Sequence, residues 1–148
     1  MFATAVIIGC SAQAPSLTFG DAGEFSACAA VLGLAHSPGY PLYALAARAF
    51  SSALALGAWA YRTNFFSTFC GAAALSVLGA SLARLGFSAP ARLGALAGLG
   101  LAPLWLRETG VTEVFALNAL ALCCLVWIAA RFSGREWGSR PMAAFGLA

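Results

Sequence analysis

Two short segments hold most of the chemistry that the first half of this chain can offer. Gly20-Asp21-Ala22-Gly23-Glu24-Phe25 carries two carboxylates three residues apart, and His36-Ser37-Pro38-Gly39-Tyr40-Pro41-Leu42-Tyr43 carries an imidazole on a Pro-Gly turn. That spacing puts Asp21 and Glu24 on one face of a helix, so both can address one site. Carboxylates next to an imidazole are the groups of general acid and base chemistry. On spacing alone, a capping box is the stronger reading, with Asp21 as N-cap and Glu24 at the third helical position. The company these residues keep shifts the balance. Glu108 and Glu113 return to the same boundary from a later loop, and several ionisable groups beside hydrocarbon mark a functional site by default.

Three more polar residues belong to this set. Glu113 opens Thr112-Glu113-Val114-Phe115-Ala116-Leu117-Asn118, where an acid either complements a helix N-terminus or walls a site. Asn118, one turn on, ties two helices or contacts a sugar hydroxyl, the tie being the better prior. Arg62, in Ala60-Tyr61-Arg62-Thr63-Asn64, either meets a phosphate at the membrane surface or anchors the interface beside Trp59 and Tyr61.

The elements that must hold these residues are helices in lipid. Hydrophobic residues make up 61% of the 148-residue chain and charged ones only 9%, which is the composition of an integral membrane protein. Its formal charge of +3 sets eight single arginines against five acids, so there is no basic stripe to follow a nucleic acid backbone. The five cysteines form no C-x-x-C pair, and four lie in uncharged apolar stretches. They read as small core hydrophobes, with no metal site among them.

Hydropathy predicts an all-α, multi-pass helical bundle with spans over 1–14, 63–83, 88–106 and 114–130. The second is the cleanest, rising about 30 Å as a helix, one hydrocarbon thickness. The first is short, and Ala12-Gln13-Ala14 resembles a signal-peptide cleavage site. It lacks the basic flank of such a peptide, so a retained first helix is expected.

Segments 22–35 and 39–56 are expected to be juxtamembrane helices in the first outer loop. If 39–56 crossed the membrane, Arg84, Arg92, Arg131, Arg135 and Arg140 would share a side with the acidic island, against the positive-inside rule. Lying along the interface, it makes those arginines cytoplasmic. Asp21, Glu24, His36, Arg62, Arg107, Glu108 and Glu113 then gather outside, and Arg48 snorkels from the interfacial helix. The run Arg140-Pro141-Met142-Ala143-Ala144-Phe145-Gly146-Leu147-Ala148 reads as an unfinished span, so the chain is expected to be the N-terminal part of something longer.

Four segments, in order, resemble the start of the multi-pass glycosyltransferase family 117, a branch of the GT-C superfamily. They are Pro15 to Phe25, His36 to Tyr43, Tyr61-Arg62-Thr63-Asn64 and Thr112 to Asn118. The family pattern has His-Pro-Pro-Gly where this chain has His36-Ser37-Pro38-Gly39, a change that keeps the turn.

The resemblance implies a transferase that moves mannose or a similar sugar from a polyprenyl-phosphate carrier to an acceptor hydroxyl, such as a protein Ser or Thr. It would work on the exoplasmic face of a bacterial inner membrane or the endoplasmic reticulum. Asp21 would be the general base; Glu24 and Glu113 would position acceptor or sugar; His36 and Arg62 would offset charge on the departing phosphate. Tyr40 joins the substrate-binding set through its motif. No metal or other cofactor is required. The implied partners are membrane lipid, the lipid-linked sugar, an acceptor protein or glycan, and the missing C-terminal part of the enzyme. The competing reading is a non-catalytic scaffold or carrier-binding protein, which has no need for Asp, Glu, His and Arg converging on one face.

Overall fold

The computed structural model describes residues 1–136; Ser139, Arg140 and the apolar run after Arg140 lie outside them. Seven helices and no strand make up the described residues: α1 (Phe2–Ala12), α2 (Ala22–Val31), α3 (Pro41–Ala53), α4 (Trp59–Arg84), α5 (Ala89–Gly100), α6 (Pro103–Thr109) and α7 (Val114–Glu136).

α4 is the axis of the molecule. Its 26 residues contain no proline, and its only charges, Arg62 and Arg84, sit near its ends, so nothing interrupts about 39 Å of helix. It stops where Gly86 takes a left-handed φ of 84°, and Phe87 N–H closes onto the Leu82 carbonyl at 3.1 Å. This is a Schellman ending, for which glycine carries no Cβ penalty.

The other long elements run along α4. α1 is antiparallel to it, with Gly9 against Thr68 and Met1 against Gly79. α5 and α6 return the chain antiparallel again, Leu96 beside Gly79, Gly100 beside Leu75 and Thr109 beside Gly71. α7 then runs parallel to α4. Thr112, just before it, bonds Thr63 and Asn64 near the start of α4, while Arg84 at the far end stacks on Trp127 at 5.6 Å.

Small residues allow these close approaches. A Cβ on Gly71 would sit 2.6 Å from Thr109 Cγ2 and 2.9 Å from Thr109 Cβ, so α4 and α6 must separate to admit it. Gly71→Ala is therefore expected to cost about 1–3 kcal/mol, the usual range for overpacking, read as a lower unfolding midpoint in detergent. An unchanged midpoint would mean that the two helices part freely.

α4 and α7 are each long and apolar enough to cross a membrane, and the α5–α6 pair makes a third candidate if counted as one bent span. That pair corrects the single straight helix expected over 88–106, because the axis bends by 64° between its two halves. Pro103 is the cause. It has no N–H for the Leu99 carbonyl, and its ring excludes that carbonyl from helical geometry. Ala102 N–H takes the Leu99 carbonyl instead, at 3.1 Å, and Pro103 starts a new helix. α1 is also shorter than its 1–14 expectation, its 11 residues rising about 16 Å, or half a hydrocarbon core.

α2 and α3 are short helices stacked on the first turns of α4. Tyr43 and Phe50 of α3 both touch Phe66 of α4, so α3 crosses α4 at one level. Both of its ends lie at the same end of the molecule: Tyr43 packs on Phe25, and the Ser51 carbonyl accepts from Arg62 Nη1 at 3.4 Å. Arg48 departs from expectation. It does not snorkel outward but turns back, donating to the Ala30 carbonyl in the last turn of α2 and stacking on Trp59 at 5.4 Å. A cation there complements the helix C-terminus.

Candidate functional site

Asp21, Glu24 and His36 meet where α2 begins. Asp21 occupies the N-cap position, yet its side chain makes no capping hydrogen bond. Glu24 does not reach back to it. Instead one Glu24 oxygen accepts the His36 backbone N–H at 2.5 Å, and the other lies 2.9 Å from His36 Nδ1. The capping box is thus replaced by a clasp between α2 and the loop before α3. A local pattern lost to a partner twelve residues away because a charged acceptor gains more from two donors than from one exposed cap.

His36 Nε2 points the other way, 3.9 Å from Asp21 Oδ2. Beneath the ring, Phe25 and Tyr40 each stand with centroids 5.6 Å from it and 5.3 Å from each other. Tyr40 itself holds a left-handed φ of 44°, which turns the chain into Pro41 at the start of α3.

The electrostatics follow from these contacts. The Glu24 hydrogen bond, helped by the charges of Glu24, Asp21 and Glu113, holds the imidazole above its ordinary value of 6.5. The His36 ring bond and then its backbone N–H hold Glu24 below its ordinary value. Glu113 is shifted the opposite way: burial pushes its carboxyl up, and the charges of Asp21 and Glu108 add to the effect. It therefore gives up its charge more readily than an ordinary glutamate does.

Asp21, Glu24 and His36 come together, and Glu113 lies within reach of the charges of Asp21 and His36. Arg62 and Asn118 do not join them. Arg62 donates to the carbonyls of Leu56 at 3.1 Å, Gly57 at 3.0 Å and Ser51 at 3.4 Å, pinning the α3–α4 connection. Asn118 is exposed on the outer side of α7 and makes no hydrogen bond within the described residues, so it is not the helix tie expected of it. Arg107 pairs with its neighbour Glu108 at 3.6 Å. Donor atoms of Asp21, Glu24 and His36 lie within 4.8 Å of one another, a set that suits a hard cation, although Glu24 already spends both oxygens on His36.

Residues 21–144 match the family model described as the Protein O-mannosyl-transferase TMEM260 N-terminal domain. The chain belongs to this family. It is also similar to mouse Protein O-mannosyl-transferase TMEM260, with 36% identity over 117 residues, 79% of this chain. The chain spans 17% of that relative's length. No solved structure matches it. The family match opens on Asp21, the first residue of the site.

What holds this TMEM260 N-terminal domain site in place was missed by sequence reasoning. Asn64, 1% exposed, donates from Nδ2 to the carbonyls of Ala14 and Ser16, both at 2.9 Å. Its Oδ1 accepts from Thr112 Oγ1, which also lies 2.8 Å from Thr63 Oγ1. Thr63 in turn meets Ser26 of α2 at 3.2 Å. Ser67 Oγ accepts the Glu113 N–H at 3.3 Å, and Thr68 Oγ1 donates to the Thr109 carbonyl at 3.1 Å. The signal was present: Thr63, Asn64, Ser67 and Thr68 recur at helical spacing as one polar stripe on an apolar span, where such residues join helices.

Proposed function

We propose that this chain forms the catalytic entrance of a GT-C-type glycosyltransferase, of the family 117 kind, that moves mannose from a polyprenyl-phosphate carrier to a protein Ser or Thr hydroxyl. The observation that carries this reading is Asp21. Its side chain is 59% exposed, free of any cap bond, and stands at the head of a domain shared with a protein named as an O-mannosyl-transferase.

In this scheme Asp21 takes the proton of the acceptor hydroxyl. The hydroxyl oxygen bonds to the sugar's anomeric carbon, and the bond from that carbon to the phosphate oxygen breaks, its electron pair leaving with the carrier phosphate. A base must reach the hydroxyl as it attacks, and an exposed, unbonded carboxylate can do so. Glu113, half-buried across the site, positions the sugar by hydrogen bonds. Arg62 uses three of its five N–H donors on backbone carbonyls, which leaves two for the carrier phosphate. An apolar groove of about 500 Å³ between α5, α6 and α7, lined by Leu99, Leu104, Trp105 and Phe115 with Glu108 at its edge, offers a bed for the isoprenoid tail.

The proposed active site faces the exoplasmic side, with Arg84, Arg92 and Arg131 on the cytoplasmic side in keeping with the positive-inside rule. Ser37 and Ser88 are both exposed and lie at opposite ends of α4. With the native cysteines replaced by alanine, Ser37→Cys should react with an impermeant thiol reagent from outside while Ser88→Cys should not. The reverse pattern would overturn the orientation. Membranes containing the protein should transfer labelled mannose from polyprenyl-phosphate mannose to a threonine peptide; no transfer would leave the scaffold reading in its place.

A further inference from the structure

Glu24 occupies both the backbone N–H and Nδ1 of His36, so Nε2 is the one polar atom of the ring free to act. It faces Asp21 Oδ2 across 3.9 Å. That gap is too long for a direct hydrogen bond, yet a single oxygen about 2.8 Å from each atom fits between them. The other groups around the ring are Tyr40 and Phe25, which are its floor, and Glu113, whose charge reaches it from the turn before α7.

We propose that the gap between Asp21 and His36 is the seat of the acceptor hydroxyl, with His36 Nε2–H donating to the hydroxyl oxygen while the hydroxyl donates to Asp21 Oδ2. This rests on the transferase reading above and assigns His36 to the acceptor instead of to the carrier phosphate. In the reaction the hydroxyl proton passes to Asp21, the oxygen lone pair not held by Nε2–H forms the new bond to the anomeric carbon, and the phosphate leaves with the old bonding pair. His36 keeps its proton throughout. Glu24 touches no substrate and is a positioning residue, fixing the ring so that Nε2 faces the gap. The apolar floor of Phe25 and Tyr40 suits the carbon that bears the hydroxyl.

The sign of the pH dependence follows. Since Glu24 holds the imidazole above 6.5, the donating form persists past that value and is lost as pH rises through the elevated one. Hydroxyl binding should fall on that alkaline limb, and Glu24→Gln should move the limb to lower pH.

His36 is the only histidine in the chain, so histidine-labelled ¹⁵N spectra of the full chain in detergent report on it alone. The probes are an acetylated Ala-Thr-Ala-Thr-Ala amide and the same peptide with valine for threonine, which has the same shape without the hydroxyl. The threonine peptide should shift the Nε2 resonance and the valine peptide should leave it in place. Equal shifts, or none, would overturn the proposal.

Where transfer is measured, His36→Ala should raise the peptide KM about tenfold or more, the loss of one hydrogen bond from a charged donor, with the carrier KM unchanged. A normal peptide KM in that variant removes the hydroxyl seat and leaves the transferase reading intact. A threonine-specific shift in a protein that transfers no mannose does the opposite.

Discussion

Asp21→Asn is expected to lower mannose transfer by about a hundredfold or more, the scale of losing a general base, without changing helix content or membrane insertion. Asparagine is as good an N-cap as aspartate, and Asp21 makes no side-chain cap bond in any case. The amide keeps the shape of the carboxylate and its hydrogen bond to a hydroxyl, but it cannot take a proton. Asp21→Ala should lose activity similarly. Its stability should hardly change, because there is no cap bond to remove. Transfer assayed beside circular dichroism of the purified protein separates these effects. Near-normal transfer by the Asn variant would remove Asp21 as the base and leave Glu113 as the next candidate, since Glu24 is held by His36.

The parts of this molecule that could be read from sequence are those where one residue class stands against its background. Asp21, Glu24 and His36 are visible because charge is rare here. The long α4 is visible because Arg62 and Arg84 bracket an uncharged run. The arginine distribution argued that 39–56 does not cross the membrane; in the fold α3 has both ends at one end of α4, with Tyr43 on Phe25 and Ser51 on Arg62.

Competition between local and distant partners was much harder to read. Glu24 had a good local role in a capping box, and only the fold brings His36 within 2.9 Å of it. Arg62 had no visible partner in the sequence, and only the fold turns three carbonyls onto it. Pro103 was a local signal outweighed by hydropathy: an apolar stretch continues through 88–106, whereas a proline ring ends a helix whatever its neighbours' polarity. Asn118 stands five residues after Glu113, about 140° round a helix from it, so the spacing did not put the two on one face, and Asn118 is exposed.

Asn64→Leu should have the largest effect on the fold itself. Leucine keeps the branching of asparagine at Cγ without its polar atoms, and as the larger side chain it adds some overpacking to the loss of the hydrogen bonds. Two groups lose their donor at once, the Ala14 and Ser16 carbonyls, and the Thr112 hydroxyl is left with Thr63 alone. Each group left unsatisfied away from water costs about 1–3 kcal/mol. The expected loss is therefore about 2 kcal/mol or more, a large part of the stability of a small domain. Thr112→Val removes one corner of the same network and should cost about 1–3 kcal/mol. Because Ala14 and Ser16 lead into Asp21, and Thr112 precedes Glu113, both variants should also loosen the site from two sides. Thermal unfolding in detergent gives the stabilities, and the ¹⁵N resonances of His36 give the state of the site. If Asn64→Leu unfolds within about 0.5 kcal/mol of the parent, an ordinary surface effect, the network is not what joins α1, α2, α4 and α7, and the apolar contacts of Phe25, Tyr43 and Phe66 must hold the acids in place by themselves.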